Sequence, residues 1–359
     1  MKMKKFLFLL MMLILMFQLS CSSDEHYKHY LSLSRYTDPK GFSTMLDELP
    51  DDVTGICEIS KQQMVHHNLL IYHGVPYNKR NEMRNTSPPK LSDILKDLKE
   101  TKPYNLYDER EIEQRVVGSC TKESHFLAGL LRYKGIPARP RAGYFKDVII
   151  NNEHFINFWE TNFRGRGIMR ELLEENPKQW KEEVNAILMR QIKANKCFEH
   201  WICEYWDKDL KKWRILDANT TFLKAAFDIE VGFHLPDKHW EYAYESWQKM
   251  RNSVNFNPDQ YREDEQDGPS HIRGELLLDF YNLLNHDLTG FYGASDDAYT
   301  FIKGKVFADI SAEELSELDE LAILLSQNPT KEELVAFYHK SKTIKLEVVE
   351  KDPYSFVFK

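Results

Sequence analysis

Hydrophobic and polar positions change rhythm several times along the chain. Phe6–Phe17 is an unbroken apolar run of twelve residues behind Lys2, Lys4 and Lys5. A membrane-spanning helix needs about 20 apolar residues, so Met1–Ser20 reads as a targeting leader. Residues 21–37 show little periodicity and read as a tether. From Asp38 to about Leu98 apolar residues recur at helical spacing, as at Phe42, Met45, Leu46 and Leu49. Ser92 is placed to cap a helix bearing Ile94, Leu95 and Leu98, and Asn85–Pro89 is a break. From about Glu111 to Phe222 the pattern is helix, then strands, with a helical insertion over 151–195 between two strand signals. The chain turns polar after about Asn252. Leu276, Leu277, Phe280 and Leu284 then share a helical face, and Ser311–Glu314 and Thr330–Glu333 have the form of capping boxes. Ile344, Leu346 and Val348 alternate as one late strand. The expected fold is α+β: a helical region over 38–110, a core over 111–250 and a mostly helical region over 251–359.

Composition narrows the function classes. The 359 residues carry 48 basic and 56 acidic side chains, a net charge of −8. Without a basic excess, nucleic acid is not an expected partner. No glycine-rich phosphate loop and no HExxH metal motif occurs. Losing the leader removes three lysines and no acid, which leaves −11. The sequence Leu19-Ser20-Cys21 behind the apolar run resembles a bacterial lipoprotein signal, with Gln18 where that pattern usually has Leu. The resemblance implies cleavage before Cys21 and a lipid on Cys21. Ser22-Ser23-Asp24-Glu25 resembles the surface-export signal of Bacteroidota lipoproteins. The implied location is the cell envelope at the outer membrane, held by acyl chains and not by a basic face.

The chemistry concentrates in three residues. Leu127, Leu130, Leu131 and Lys134 trace a helical face, and Gly135 with Pro137 marks its end. Cys120 therefore stands at a helix N-terminus, where the dipole favours a thiolate, and Gly118 is expected to allow a sharp turn before it. Cys197–Trp206 and Lys211–Asp217 read as two strands. A four-residue hairpin loop over 207–210 opposes Glu204 with Trp213, Ile202 with Ile215 and His200 with Asp217. An imidazole then lies beside a carboxylate that fixes its tautomer, the arrangement a thiol nucleophile needs from its base.

These residues resemble the transglutaminase-like superfamily of papain-type thiol enzymes. The resemblance rests on Gly118-Ser119-Cys120, an apolar helix ending Lys134-Gly135-Ile136-Pro137-Ala138-Arg139, a strand ending Gly143-Tyr144, His200-Trp201, and Trp213 four residues before Asp217. It covers about Glu111–Phe222, and the flanks Asp38–Leu98 and Trp240–Phe291 are similar to a bacterial subset of that superfamily. It implies a Cys-bearing helix on an antiparallel sheet, with Cys120 as nucleophile, His200 as general base and acid, and Asp217 as orienter. It implies no cofactor and no metal, and a peptide or protein as substrate. The implied reaction is amide hydrolysis by a peptidase or amidase; glutamine-directed crosslinking and a non-catalytic binding module on the same fold are the alternatives. The insertion over 151–195 departs from the simpler bacterial pattern and bears on substrate access. The Cys120 N–H is an expected oxyanion donor, and Gln114 resembles in spacing the oxyanion glutamine of papain-like proteases.

Other groups have plainer readings. Cys197 and Cys203 lie three residues either side of His200, on the opposite strand face, which disfavours a zinc site with it. Each reads as packing or as a disulfide partner for Cys57. His66-His67 reads as surface, His125 as a weaker alternative base, and Trp201, Trp206 and Trp213 as core.

Overall fold

A computed structural model describes residues 27–76, 79–80, 83, 90–165, 167–263, 266–287, 305–345, 348–352 and 355–358. The leader, Cys21 and the break at Asn85–Pro89 lie outside them. The architecture is α+β. Helices α1 (Val53–Gln63), α2 (Leu69–Tyr72) and α3 (Leu91–Glu100) precede α4 (Cys120–Tyr133). Strand β1 (Met64–His66) runs parallel to β2 (Val116–Gly118), which leads into α4. Strands β3 (Ala138–Phe145), β4 (Phe198–Asp207), β5 (Lys212–Leu216) and β6 (Trp240–Tyr242) form one curled antiparallel sheet in the order β5-β4-β3-β6. The insertion between β3 and β4 is three helices, α5 (Asn152–Phe163), α6 (Gly167–Glu175) and α7 (Pro177–Ala194). Helices α8 (Thr220–Phe227), α9 (Ala243–Asn252), α10 (Gly268–Leu283), α11 (Ala312–Ser326) and α12 (Lys331–Lys340) follow, then a hairpin of β7 (Val348–Asp352) and β8 (Ser355–Phe358).

Helix α4 forms where expected. Gly135 takes φ 72°, the left-handed conformation that closes a helix C-terminus without a Cβ clash. Phe126, Leu127, Leu130 and Leu131 are buried, and the helix packs on β3 and β4. Helix α10 is buried along its whole length and not on one face only. Strand β3 pairs with β6 only over Gly143–Phe145, so the Ala142 N–H is left on an open edge. Asp279 of α10 accepts that N–H at 3.1 Å and holds the Arg141 guanidinium through two bonds of 2.8 Å. The C-terminal helices thus close the sheet edge, which an unpaired strand requires.

Several local expectations change. Phe42–Leu46 lies in a 3-10 stretch, Lys40–Leu46, and not an α-helix. Ser92 is buried in the first turn of α3, where Lys90 is the N-cap. Ser311 caps α11, but Glu314 does not reach back; it is buried against Arg273 and Lys305. Thr330 and Glu333 form a full capping box. Of the late strand, Leu346 lies outside the described residues, and Val348 belongs to β7, which has a partner, β8. The tether expected over 21–37 gives way at Tyr27. Tyr27 stacks on Trp206 with ring centroids 4.9 Å apart, and Tyr30, Tyr36 and Thr37 are buried.

Four charges are locked on one sheet face. Glu204 accepts from Arg139 at 2.7 Å and Arg141 at 2.9 Å, and Arg141 also holds Asp279. Burial alone would raise the Glu204 carboxyl; the two guanidiniums outweigh it and hold it down at about 2. The folded value lies below the unfolded one, so this contribution is present above about pH 4.5 and is lost as pH falls towards 2. Glu204→Gln leaves two buried cations short of a partner. We expect it to cost about 3–5 kcal/mol in urea unfolding at pH 7, with a smaller deficit near pH 3; an unchanged midpoint contradicts this reading.

Candidate active site

Strand alternation puts Phe198, His200, Ile202, Glu204 and Trp206 on one face of β4. The hairpin loop is four residues long, as expected, but it spans 208–211. Asp207 stays in β4 and its Oδ1 accepts the N–H groups of Asp209 and Leu210, while Lys211 takes φ 51°. Opposed pairs become Trp206 with Trp213 and Glu204 with Ile215, and the ladder ends at Cys203 with Leu216. His200 is therefore not directly opposite Asp217. The register moves by two residues, which preserves faces, so Asp217 stays on the His200 side. It lies just past β5, fixed by its N–H to Phe233 O at 2.8 Å. His200 Nε2 meets Asp217 Oδ2 at 2.9 Å, with the two residues 2% and 6% exposed. The imidazole stacks on Phe145 at 3.9 Å and pairs across β3 with Gly143. A Cβ at Gly143 would come within 2.3 Å of Glu241 O, so only glycine fits there.

Cys120 is the first residue of α4, after the N-cap Ser119. Gly118 does not turn the chain: it is a strand residue paired with His66, and a Cβ there would meet Met64 at 2.9 Å. Cys120 and His200 line one cavity of about 380 Å³, together with His66, His67, Phe198, Glu199 and Phe222. They are not hydrogen-bonded to each other; the thiol's partner is the N–H of Trp201, the next residue after His200. Burial pushes the thiol well above its ordinary value and the Glu199 carboxylate adds to the rise, while the Trp201 N–H opposes it. Desolvation thus opposes the thiolate that the helix dipole favours.

A second tie joins the Cys120 helix to the His200 pair. Asp217 Oδ1 accepts the Asn219 N–H at 2.7 Å, and Asn219 Nδ2 donates to Glu123 Oε2 at 2.9 Å. Glu123 stands one turn after Cys120, and its own N–H bonds Ser119 O at 3.0 Å. Burial raises the Glu123 carboxyl well above its ordinary value, with Asp217 adding to it. Sequence reasoning passed over Glu123, although its i+3 spacing from Cys120 puts both on one helix face.

The remaining candidates separate. Gln114 is exposed and lines a different cavity with Lys102, Tyr104 and Glu111, because the 3-10 turn Ile112–Gln114 and β2 carry it away from Cys120. His125 is buried, with Nδ1 on Thr121 O and Nε2 on Asn282 Oδ1, and does not line the Cys120 cavity. His66 is buried and both His66 and His67 line the cavity, in place of the expected surface position. No local pattern announced this; it follows from parallel pairing of segments some fifty residues apart. Cys57, Cys120, Cys197 and Cys203 are free thiols, so no disulfide to Cys57 forms. Glu199, which lines the cavity, brings a ligand-type atom within 4.8 Å of those of His271 and Glu275, with His271 Nε2 at 2.9 Å from Glu199.

The raised thiol has a direct consequence. Iodoacetamide labelling of Cys120, mapped by peptide mass spectrometry, should be slower at pH 7 than for a free thiol and still accelerating at pH 9. A rate that levels off below pH 7 would show a preformed thiolate instead.

No protein-family model, curated protein or solved structure matches this chain.

Proposed function

We propose that this protein is a transglutaminase-like thiol enzyme with a papain-like core, which hydrolyses amide bonds of peptides at the bacterial cell envelope. The observation that carries the reading is a buried imidazole–carboxylate pair opening on the same cavity as a cysteine at a helix start. In this reaction His200 takes the Cys120 proton as the sulfur attacks the amide carbonyl. Asp217 holds Nε2 and stabilises the imidazolium. The Cys120 N–H, first in its helix and without an intrahelical acceptor, is one donor to the oxyanion. The imidazole of His66 lines the same cavity, with its Nδ1 accepting the Asn68 N–H at 3.3 Å. The C–N bond breaks as His200 returns the proton to the amine. Water, deprotonated by His200, then cleaves the thioester and restores the thiol.

The envelope location rests on the leader and Cys21, and no described helix is long and apolar enough to cross a membrane. Five residues separate Cys21 from the packed Tyr27, a reach of about 20 Å. A lipid on Cys21 would hold the folded body against the bilayer and not at the end of a long stalk. Metabolic palmitate labelling that vanishes in Cys21→Ser is the expected result; label retained there, or absent from the wild type, removes the anchor.

The test of the reaction is mass spectrometry of a peptide-amide library incubated with wild-type protein and with Cys120→Ala. Cleavage by the wild type should disappear in Cys120→Ala, and Asp217→Asn should lose about 10²–10⁴ in rate. Products unchanged in Cys120→Ala overturn the mechanism. A primary amine joined to glutamine in place of cleavage would make the protein a transferase.

A further inference from the structure

We propose that the insertion over 151–195 builds an acyl-side pocket for a large apolar side chain, with Arg190 at its rim for a carboxylate. The substrates are then peptides with a phenylalanine-, tyrosine- or leucine-type residue at the attacked carbonyl and an acidic group next to it. This rests on the thiol-enzyme reading and supplies its substrate class.

A ladder of rings carries the argument. The Phe222 ring lies 6.4 Å from the His200 imidazole and parallel to it within 10°. Trp159 of α5 is 6.4 Å beyond Phe222, and Phe163 another 6.4 Å from Trp159. Phe198 stacks parallel to Trp159 at 6.2 Å. All four rings line the Cys120 cavity, with Ile187 of α7 beside them. The apolar wall therefore begins at the general base and runs onto the insertion. Trp159 is held in place by Phe155, Phe158 and Phe198, so the wall is preformed. A side chain on the attacked carbonyl, close to Cys120 and His200, has this wall as its neighbouring surface.

The charged residues of the cavity mostly satisfy one another. Lys196 pairs with Glu263 at 2.5 Å, Arg262 with Asp259 at 3.3 Å, and Glu199 with His271. Arg190, on α7, lines the cavity and is exposed, with no ion pair or hydrogen bond to a described residue. It is the cation left to meet a substrate anion, and an exposed arginine gives such a contact charge selectivity.

The experiment separates this pocket from the reaction. Binding of acetyl-Phe-Glu-amide, acetyl-Gly-Glu-amide and acetyl-Phe-Lys-amide to Cys120→Ala is followed by tryptophan fluorescence, and turnover of the same peptides by the wild type. Covering one aromatic side chain should favour the Phe-Glu peptide over Gly-Glu by about 10- to 100-fold in Kd. Phe163→Ala should reduce that preference, and Ile187→Asp, farther along the same wall, should do so if Phe163→Ala does not fold. Arg190→Glu should invert the preference between Phe-Glu and Phe-Lys while leaving the Phe-over-Gly preference intact. Selective binding without turnover leaves the pocket standing and removes the thiol-enzyme reading. Turnover or binding indifferent to the first residue overturns the pocket and leaves the reaction standing. Neither binding nor turnover overturns both.

Discussion

The site depends on one constraint: a helix that starts at Cys120 must stay registered against a sheet that carries His200. Two bonds of different origin enforce it. The Trp201 N–H reaches the Cys120 sulfur from the strand edge. One turn along the helix, Glu123 holds Asn219, which holds Asp217, which holds His200. The same polar chain that orients the imidazole therefore anchors the helix that presents the thiol. Because Glu123, Asn219, Asp217 and His200 are all buried, a break in their chain leaves an unsatisfied polar group in a low-dielectric interior, which makes the arrangement stiff.

The polar residues divide between two tasks. The Arg139–Glu204–Arg141–Asp279 network lies on the His200 face of β4 but belongs to a different cavity, lined by Trp206, Trp213 and Tyr244. It fixes α10 against the unpaired stretch of β3. The His200–Asp217–Asn219–Glu123 chain sits at the other end of the strand, where the ladder with β5 has ended and the carboxylate is free to turn inward. In the proposed reading, stability and chemistry are carried by separate buried polar systems on one strand.

Much of this was legible in the chain because it depends on parity and local capping. The helix ending at Gly135 follows from its apolar spacing and from the conformational freedom of glycine. The His200–Asp217 contact survived an error in loop placement, because a shift of two residues keeps both side chains on one face. The thiol departs from the helix-dipole expectation because burial, with Glu199 adding to it, opposes the thiolate that the helix start favours. His66 and Glu123 escape sequence reasoning for opposite reasons: one arrives by parallel pairing of distant segments, the other stands in plain view on the Cys120 helix. The segment from Tyr27 was read as tether because its tyrosines lack periodicity; they pack singly against Trp206 and Trp213.

The cavity gives the resemblance its particular form here. Two helices of the insertion, α5 and α7, line the space in front of the thiol, so in the proposed reading access and selectivity fall to residues outside the Cys-helix and the His and Asp strands. In the proposed reading the sulfur of Cys120 and the imidazole of His200 act as one acyl-transfer unit. Intact-mass analysis of protein quenched in acid during reaction with a peptide thioester tests it most directly. An acyl mass on the Cys120 peptide of the wild type, formed far more slowly in His200→Ala, is the expected result; an adduct on another residue, or one whose rate ignores His200, rules this unit out.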